Sequence, residues 1–359
     1  MTVAELSQDL VWAAATALTV ALVAFAIDLS RLAGRRDDER TDERAAEQVR
    51  RRDAATAPER AEALAATGGA AAASPYGPGD DGDDVPRAEA TAGGGAVDGP
   101  APVSRKAANI GISLTWLGTA LLLAAIVTRG IAAGRTPWAN MYEFTLVGSF
   151  VALAVFLVVS LKRDVRFLGS FVTGLAVLFL VLAQNAFFVV ATGVQPALQS
   201  YWLVIHVGVA IIATGIFTVA FVTSVLQLLR DSRDEGSAIL GRRGWRWLDS
   251  TPTPTQLEAL SFRLNAVAFV LWTFTIIGGA IWAEHAWGRY WGWDPKEVWS
   301  FVVWVVYAAY LHARTTRGWS GRRAAYFVVV GYACVLFNFT GVNLLFSGKH
   351  SYSGLNPGD

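Results

Sequence analysis

Cysteine is almost absent from this sequence, because Cys334 is the only one in 359 residues. A single thiol excludes an internal disulfide, a Cys-x-x-Cys redox pair and a metal centre built from cysteines. Cys334 lies within an apolar run, so we interpret it as a small buried hydrophobic residue.

Charged side chains are also scarce, at 16% of the residues against 53% that are hydrophobic. This balance is typical of a membrane protein and too apolar for an ordinary soluble domain. The formal net charge of +1 argues against a nucleic-acid-binding protein, whose basic surface would show in the balance. The composition therefore predicts a membrane protein.

Long apolar runs predict an all-α polytopic membrane protein with about eight transmembrane helices, the seventh a little short. The stretch 167–229 is too long for one span, and the polar segment between Gln184 and Ser200 divides it. The predicted spans are residues 10–28, 107–128, 142–161, 167–186, 201–229, 264–283, 298–313 and 324–346.

Positive charge predicts the orientation of these spans. With the N-terminus outside, the inner segments hold 25 of the 30 Lys and Arg residues, which fits the positive-inside rule. Both termini and a tryptophan-rich loop then face outward. The first run lacks a small-residue cleavage site and precedes basic residues, so we interpret it as an anchor rather than a cleaved signal peptide.

Three regions follow from these patterns. Residues 1–29 form an N-terminal transmembrane anchor, 30–106 an inner insertion, and 107–359 a seven-helix membrane domain. The insertion begins with mixed charges at helical spacing in "RRDDERTDERAAEQVRRRD", which predicts a solvated helix. From about Ala65 to Pro102 it lacks periodicity, as a disordered linker does.

The stretch "AWGRYWGWDPKEVW" places four tryptophans between Ala286 and Trp299. Within it, Asp294-Pro295-Lys296-Glu297 has the form of a helix start. Asp294 suits the N-cap, Pro295 the first helical position and Glu297 the position that closes a capping box. The structural motif Asp294, Pro295 and Glu297 thus predicts the beginning of the seventh span.

The remaining aromatic residues of loop 284–299 predict a binding platform. Trp287 and Trp291 are four residues apart and share a face if the loop is locally helical. An ordinary interfacial belt would scatter such rings over all spans. A flat macrocycle with carboxylates, such as haem, could stack on the indoles and meet cations at the edge. The platform comprises Trp287, Tyr290, Trp291 and Trp293, edged by Arg289 and Lys296.

Three of the four histidines are possible ligands of a haem iron. His206 and His350 both fall at the outer level of the tryptophan loop, although either could instead be a hydrogen-bonding interfacial residue. His312 lies near the inner end of the seventh span, where ionisable groups are a functional hypothesis by default. The alternative for His312 is that it reaches the inner surface beside Arg314.

These motifs give the chain a family resemblance. The segment "WGRYWGWDPKEVWSFVVWVVYAAYLHAR" resembles the tryptophan-rich WWD signature of membrane haem-handling proteins in cytochrome c maturation. It is most similar to the CcsA/ResC type, a subunit of the System II cytochrome c synthase. The outer segments "TPWANMYEF", "SYWLVIHV" and "GKHSY" agree, and the resemblance covers about 107–359.

The resemblance implies haem delivery to the outer face for thioether attachment to the Cys-x-x-Cys-His segment of an apocytochrome c. It implies that His206 and His350 ligate the iron of haem b outside, and that His312 holds haem within the membrane. The implied location is the cytoplasmic membrane. The implied partners are a ResB-type membrane subunit, the apocytochrome c and a thioredoxin-like reductant. The chain would be a subunit of a haem lyase complex, and no residue is assigned as catalytic.

Two other functions remain compatible with the sequence. The chain could be a haem transporter or chaperone that does not form the thioether bonds. It could also be a respiratory subunit with permanent b-type haem, although such subunits pair histidines within the bilayer, whereas His206 and His350 are at its outer surface.

Overall fold

The computed structural model describes residues 1–67, 105–193, 199–350 and 353–355. It divides into two units, one of Met1–Gly34 with Arg105–Asp359 and one of Arg35–Ser104. Of the second unit, residues 35–67 are described and helical. The linker predicted between Ala65 and Pro102 lies, from residue 68 onward, outside the described residues.

The described residues form eight long helices and no strand. Between α5 and α6 lies a short 3-10 helix, Arg243–Ser250. The long helices are α1 (Val3–Thr67), α2 (Lys106–Ala133), α3 (Met141–Lys162), α4 (Arg166–Ala186), α5 (Leu203–Asp234), α6 (Pro254–Trp287), α7 (Pro295–Thr316) and α8 (Arg322–Leu345).

Seven of these helices in the described residues are long and apolar enough to cross a membrane, and α7 is the exception. Its 22 residues would extend about 33 Å at ~1.5 Å per residue, which is sufficient for a bilayer core. Its mean hydropathy is lowered by aromatic residues such as Trp299, Trp304 and Tyr307, whose rings are apolar but carry a polar atom. The predicted fold class, an all-α polytopic membrane protein, is confirmed.

Helix α5 occupies the centre of the first unit. Of its most apolar window 72% is buried, against 28% to 44% for the other six apolar helices of the described chain. Small residues allow this close packing. At Gly215, for example, an added Cβ would lie 2.6 Å from Cγ1 of Val151 on α3. The central helix thereby fixes the position of every side chain that it carries, including His206.

The loops that were predicted to share one side of the membrane do lie at one end of this unit. There the indole of Trp138, before α3, donates to the carbonyl of Leu203 at the start of α5 (2.9 Å). At the opposite end Arg105 pairs with Asp28 (2.8 Å) and Arg314 with Glu258 (2.6 Å). The assignment of the first end to the outer face stays a prediction from the positive charges.

Candidate functional site

A large cavity opens at the end that carries the tryptophan loop. It lies between α3, α5, α6, α7 and α8 and encloses about 1290 Å³, including its open mouth. Eight of the residues that line it have aromatic rings: Trp138, Phe144, Trp272, Trp282, Trp287, Tyr290, Trp291 and Phe339.

His206 enters this cavity from a π-helical turn, Leu203–Val207, at the start of α5. Its Nδ1 lies 2.9 Å from the carbonyl oxygen of Thr275 on α6. Because a carbonyl can only accept, Nδ1 carries the proton and Nε2 is the basic nitrogen. The ring also packs edge-on to Trp282, with centroids 5.6 Å apart.

His350 enters the same cavity from the segment after α8. Its Nδ1 lies 3.0 Å from Oδ1 of Asp294, and its ring meets the indole of Trp287 edge-on at 4.9 Å. The carboxylate accepts a hydrogen bond from Nδ1–H, so Nε2 is again the nitrogen that is not engaged with Asp294. Two imidazoles, each oriented through Nδ1, therefore line one cavity.

Asp294 has two roles in the geometry of this site. It caps α7, where it accepts from the backbone N–H of Lys296 (3.0 Å) and forms a complete capping box with Glu297. It also accepts from the backbone N–H of Lys349 and from His350. Burial alone would raise the pKa of Asp294, but His350 and the backbone donors lower it from 3.8 to about 2. The carboxyl group is therefore ionised at neutral pH.

One wall of the cavity is polar. Nζ of Lys296 donates to the carbonyl oxygen of Asn338 (2.7 Å), and the amide of Asn338 donates to Oγ of Ser300 (3.2 Å). Among the described residues, Oε1 of Glu297 and Oδ1 of Asn338 are buried and accept no hydrogen bond. The cavity thus combines a broad aromatic surface with the amine of Lys296 and unsatisfied acceptors on one side.

The tryptophan loop does not have the helical form considered from its spacing. Helix α6 ends at Trp287, and Gly288 adopts a left-handed conformation (φ 68°) that terminates it. Trp287, Tyr290 and Trp291 line the cavity, as does Lys296. Their common position therefore comes from a helix end and an extended loop rather than from one helical face.

Two residues of the predicted platform are absent from the cavity lining described here. Trp293 is 74% exposed and packs edge-on to Trp291, with centroids 6.0 Å apart. The guanidinium of Arg289 fills the space that a side chain on Gly292 would need. Trp293 and Arg289 thus lie beside the cavity wall, which leaves Lys296 as the predicted cation that lines it.

Several cavity residues were not singled out from the sequence. Trp138 lies in the segment "TPWANMYEF", but no pattern in the sequence identified its indole as part of a binding site. Trp272 and Trp282 lie in the apolar run of α6, where tryptophan is ordinary packing material. Only the packing of α6 against α5 brings these two rings into the wall of the cavity.

The segment before α3 is held by a buried ion cluster. Glu143 is fully buried and accepts from Nε of Arg129 (3.0 Å) and from Arg135 (2.6 Å). Arg129 also donates to the carbonyl of Val189 (2.7 Å), in the segment that follows α4. Asn140 caps α3 by accepting from the backbone N–H of Glu143. Glu143 of the segment "TPWANMYEF" thus holds the loop that presents Trp138.

His312 lies apart from the other two histidines. It is exposed near the C-terminal end of α7 and is not among the residues that line the cavity. Val305 and Phe301 are exposed two and three turns earlier along a similar face of the helix. His312 therefore faces whatever surrounds the bundle, either lipid or another chain.

The similarity to known proteins is centred on this cavity. Residues 138–350, which include every residue of its lining, match the family model described as cytochrome c assembly protein. The chain belongs to the cytochrome c assembly protein family. The match begins at Trp138 and ends at His350, so the family region is the region that builds the site.

Individual relatives support the CcsA type. The cytochrome c biogenesis protein CcsA of Synechococcus sp. (strain CC9902) is 36% identical over 259 residues, covering 67% of this chain and 85% of that protein. CcsA of Guillardia theta is 34% identical over 260 residues, covering 69% and 86%. The chain is thus a CcsA-type cytochrome c biogenesis protein.

A solved structure shares the fold of this CcsA-type protein. The structure described as cytochrome c heme lyase CcmF superposes with a TM-score of 0.53 at 17% identity. The alignment covers 99% of this chain but 49% of that one, so the chain spans about half its length. At this identity the likeness establishes the fold alone.

Proposed function

We propose that this chain is the haem-handling subunit of a System II cytochrome c synthase, and that it presents haem b for attachment to apocytochrome c. The observation that carries the proposal is the pair His206 and His350 in one cavity. Each has Nδ1 engaged with an acceptor, at 2.9 Å and 3.0 Å. Each imidazole is thereby left with Nε2, a good ligand for haem iron.

The rest of the cavity suits the remainder of a haem molecule. Its aromatic lining offers ring faces and edges to a flat macrocycle. Lys296 supplies a buried amine for a propionate, whose negative charge would favour the charged form of that amine. Arg289 and Trp293 lie beside the wall, where we assign them to the edge of the bound macrocycle rather than to its faces.

Haem b is the appropriate form because both of its vinyl groups are unreacted. In the attachment reaction each substrate thiol adds its S–H across a vinyl C=C bond: sulfur bonds one carbon and hydrogen the other. No electrons are lost overall. The chain's contribution is to hold the iron and fix the orientation of the ring, so that positioning lowers the barrier.

The substrate thiols must arrive reduced, and this chain cannot reduce them because Cys334 is its only cysteine. A thioredoxin-like partner is therefore assigned that task. The exposed position of His312 on α7 supports a second, intramembrane haem position shared with a ResB-type membrane subunit. In this arrangement the chain is a multi-pass protein of the cytoplasmic membrane, with its cavity on the extracytoplasmic side.

The proposal is tested by attachment in a purified system. The full chain, co-purified with a ResB-type subunit and supplied with haem, is mixed with a reduced Cys-x-x-Cys-His peptide. We expect covalent haem on the peptide, detected by mass and by the pyridine haemochrome spectrum. A complex that binds haem in the cavity but transfers it without thioether formation would favour the transporter alternative. A complex that binds no haem would contradict both.

A further inference from the structure

The two cavity histidines differ in the acceptor that orients them. Nδ1–H of His206 donates to a neutral carbonyl, that of Thr275 (2.9 Å). Nδ1–H of His350 donates to a carboxylate, that of Asp294 (3.0 Å). A carboxylate withdraws the proton more strongly than a carbonyl does, so it leaves more electron density on the opposite nitrogen. The two Nε2 atoms are therefore unequal as donors to a metal.

The carboxylate of Asp294 is held in place for this contact. Its side chain is only 4% exposed, and backbone N–H groups of Lys296 and Lys349 donate to it from two sides. Gly348 has no side chain, and an added Cβ would fall 2.4 Å from Oδ2. One carboxylate thus joins the start of α7 to the segment that carries His350, 56 residues later.

We propose that Asp294 is a positioning residue that makes His350 the stronger axial donor, so that an incoming substrate histidine displaces His206. This inference rests on the proposed function, because it concerns the same haem. His350 remains as the retained ligand and keeps the ring oriented while the cytochrome's own histidine takes the other side. The capping role of Asp294 accounts for its bond to Lys296 but not for its bond to His350.

Substitutions at Asp294 separate charge from capping. Asp294→Asn keeps a good N-cap and an acceptor for His350 but removes the charge. Asp294→Ser keeps the cap but is too short to reach His350. Thr253→Ala is the matched control, because Thr253 closes an equivalent capping box on α6 at the opposite end of the bundle. All variants are made in the full chain co-purified with its ResB-type partner.

Two measurements that do not depend on attachment activity test whether Asp294 strengthens His350 as an iron ligand. In Asp294→Asn the reduction potential of bound haem should rise, since less electron density favours ferrous iron. In Asp294→Ser haem affinity should fall about 10- to 100-fold, the usual effect of losing such a contact. Thr253→Ala should change neither. If Asn, Ser and wild type share one potential and one affinity, Asp294 acts only as a cap and the proposal is overturned.

The order of displacement has its own test. His206→Ala with added imidazole mimics the displaced state and should retain haem at least tenfold better than His350→Ala under the same conditions. The reverse order would overturn the inference while leaving the proposed function intact. Failure of the wild-type complex to bind haem at all would instead count against the proposed function itself.

Discussion

The imidazole of His206 lies directly against Gly279 of α6, where an added Cβ would come within 2.7 Å of Cε1. Both backbones are fixed by the packing of α5 against α6, so the ring would have to move. We expect Gly279→Ala to displace His206 from its bond to Thr275 and to weaken haem binding. The Soret band of the purified complex measures the loss.

The adjacent glycine is a control for this substitution. At Gly278 an added Cβ would meet Trp202 at 3.5 Å, an ordinary contact distance. Gly278→Ala should therefore leave haem binding unchanged. Its free energy of unfolding should equal that of the wild type or exceed it by up to ~1 kcal/mol, because alanine has the higher helix propensity. Equal haem loss in the two variants would mean that crowding of His206 is not the cause.

Removal of either cavity imidazole should change the iron's ligation. We expect His206→Ala and His350→Ala each to shift or weaken the Soret band and to stop cytochrome c maturation. Added imidazole should partly restore both, because it can fill the empty axial position. His285→Ala is the control, since His285 is exposed at the same end, contacts its own helix at Ile281 and Glu284, and is not among the residues that line the cavity. A double variant that kept a normal spectrum would refute the assignment.

Substitutions of the two basic residues of the tryptophan loop should differ in their effect on haem affinity. Lys296 lines the cavity, whereas Arg289 packs against Gly292. Lys296→Met should lower haem affinity about tenfold or more, as expected when a charged hydrogen bond of roughly 1.5–3 kcal/mol is lost. Arg289→Met should change affinity less than threefold. Titration of haem into the apo complex gives both values, and equal losses would show that the propionates lie elsewhere.

His312 should give a different phenotype from the cavity pair. If haem passes through an intramembrane position on α7, His312→Ala leaves the cavity that holds His206 and His350 intact but empty. Haem per purified complex is the measurement, with the ResB-type partner co-expressed and protein amounts matched. Thr315→Ala, exposed on the next turn of α7, provides the control. Normal occupancy in His312→Ala would remove this residue from the haem route.

Local patterns made the helices and the start of α7 predictable. The length of an apolar run is enough to predict a membrane span. A capping box is recognised from four consecutive residues, here Asp294 to Glu297. The common level of His206 and His350 followed from counting spans. Each of these inferences needs only neighbouring residues or the alternation of the chain across a bilayer.

The remainder of the site depends on packing between distant segments. Asp294 meets His350 across 56 residues, and His206 meets Thr275 across 69. Trp282 faces the cavity only because α6 packs on α5 with one particular rotation. The helical face considered for Trp287 and Trp291 does not form, because a single left-handed glycine, Gly288, ends α6 immediately after Trp287. No pattern of apolar residues encodes such contacts.

Two cavity helices contain π-helical turns, Leu203–Val207 with His206 and Phe337–Gly341 with Asn338. Such a turn holds one residue more than the α-helical turn that it replaces. Gain or loss of a residue elsewhere in α5 would rotate His206 by about 100° relative to the core of the helix. The spacing from His206 to the far end of α5 is therefore constrained, and length variation among related chains should accumulate at these two turns or in the loops.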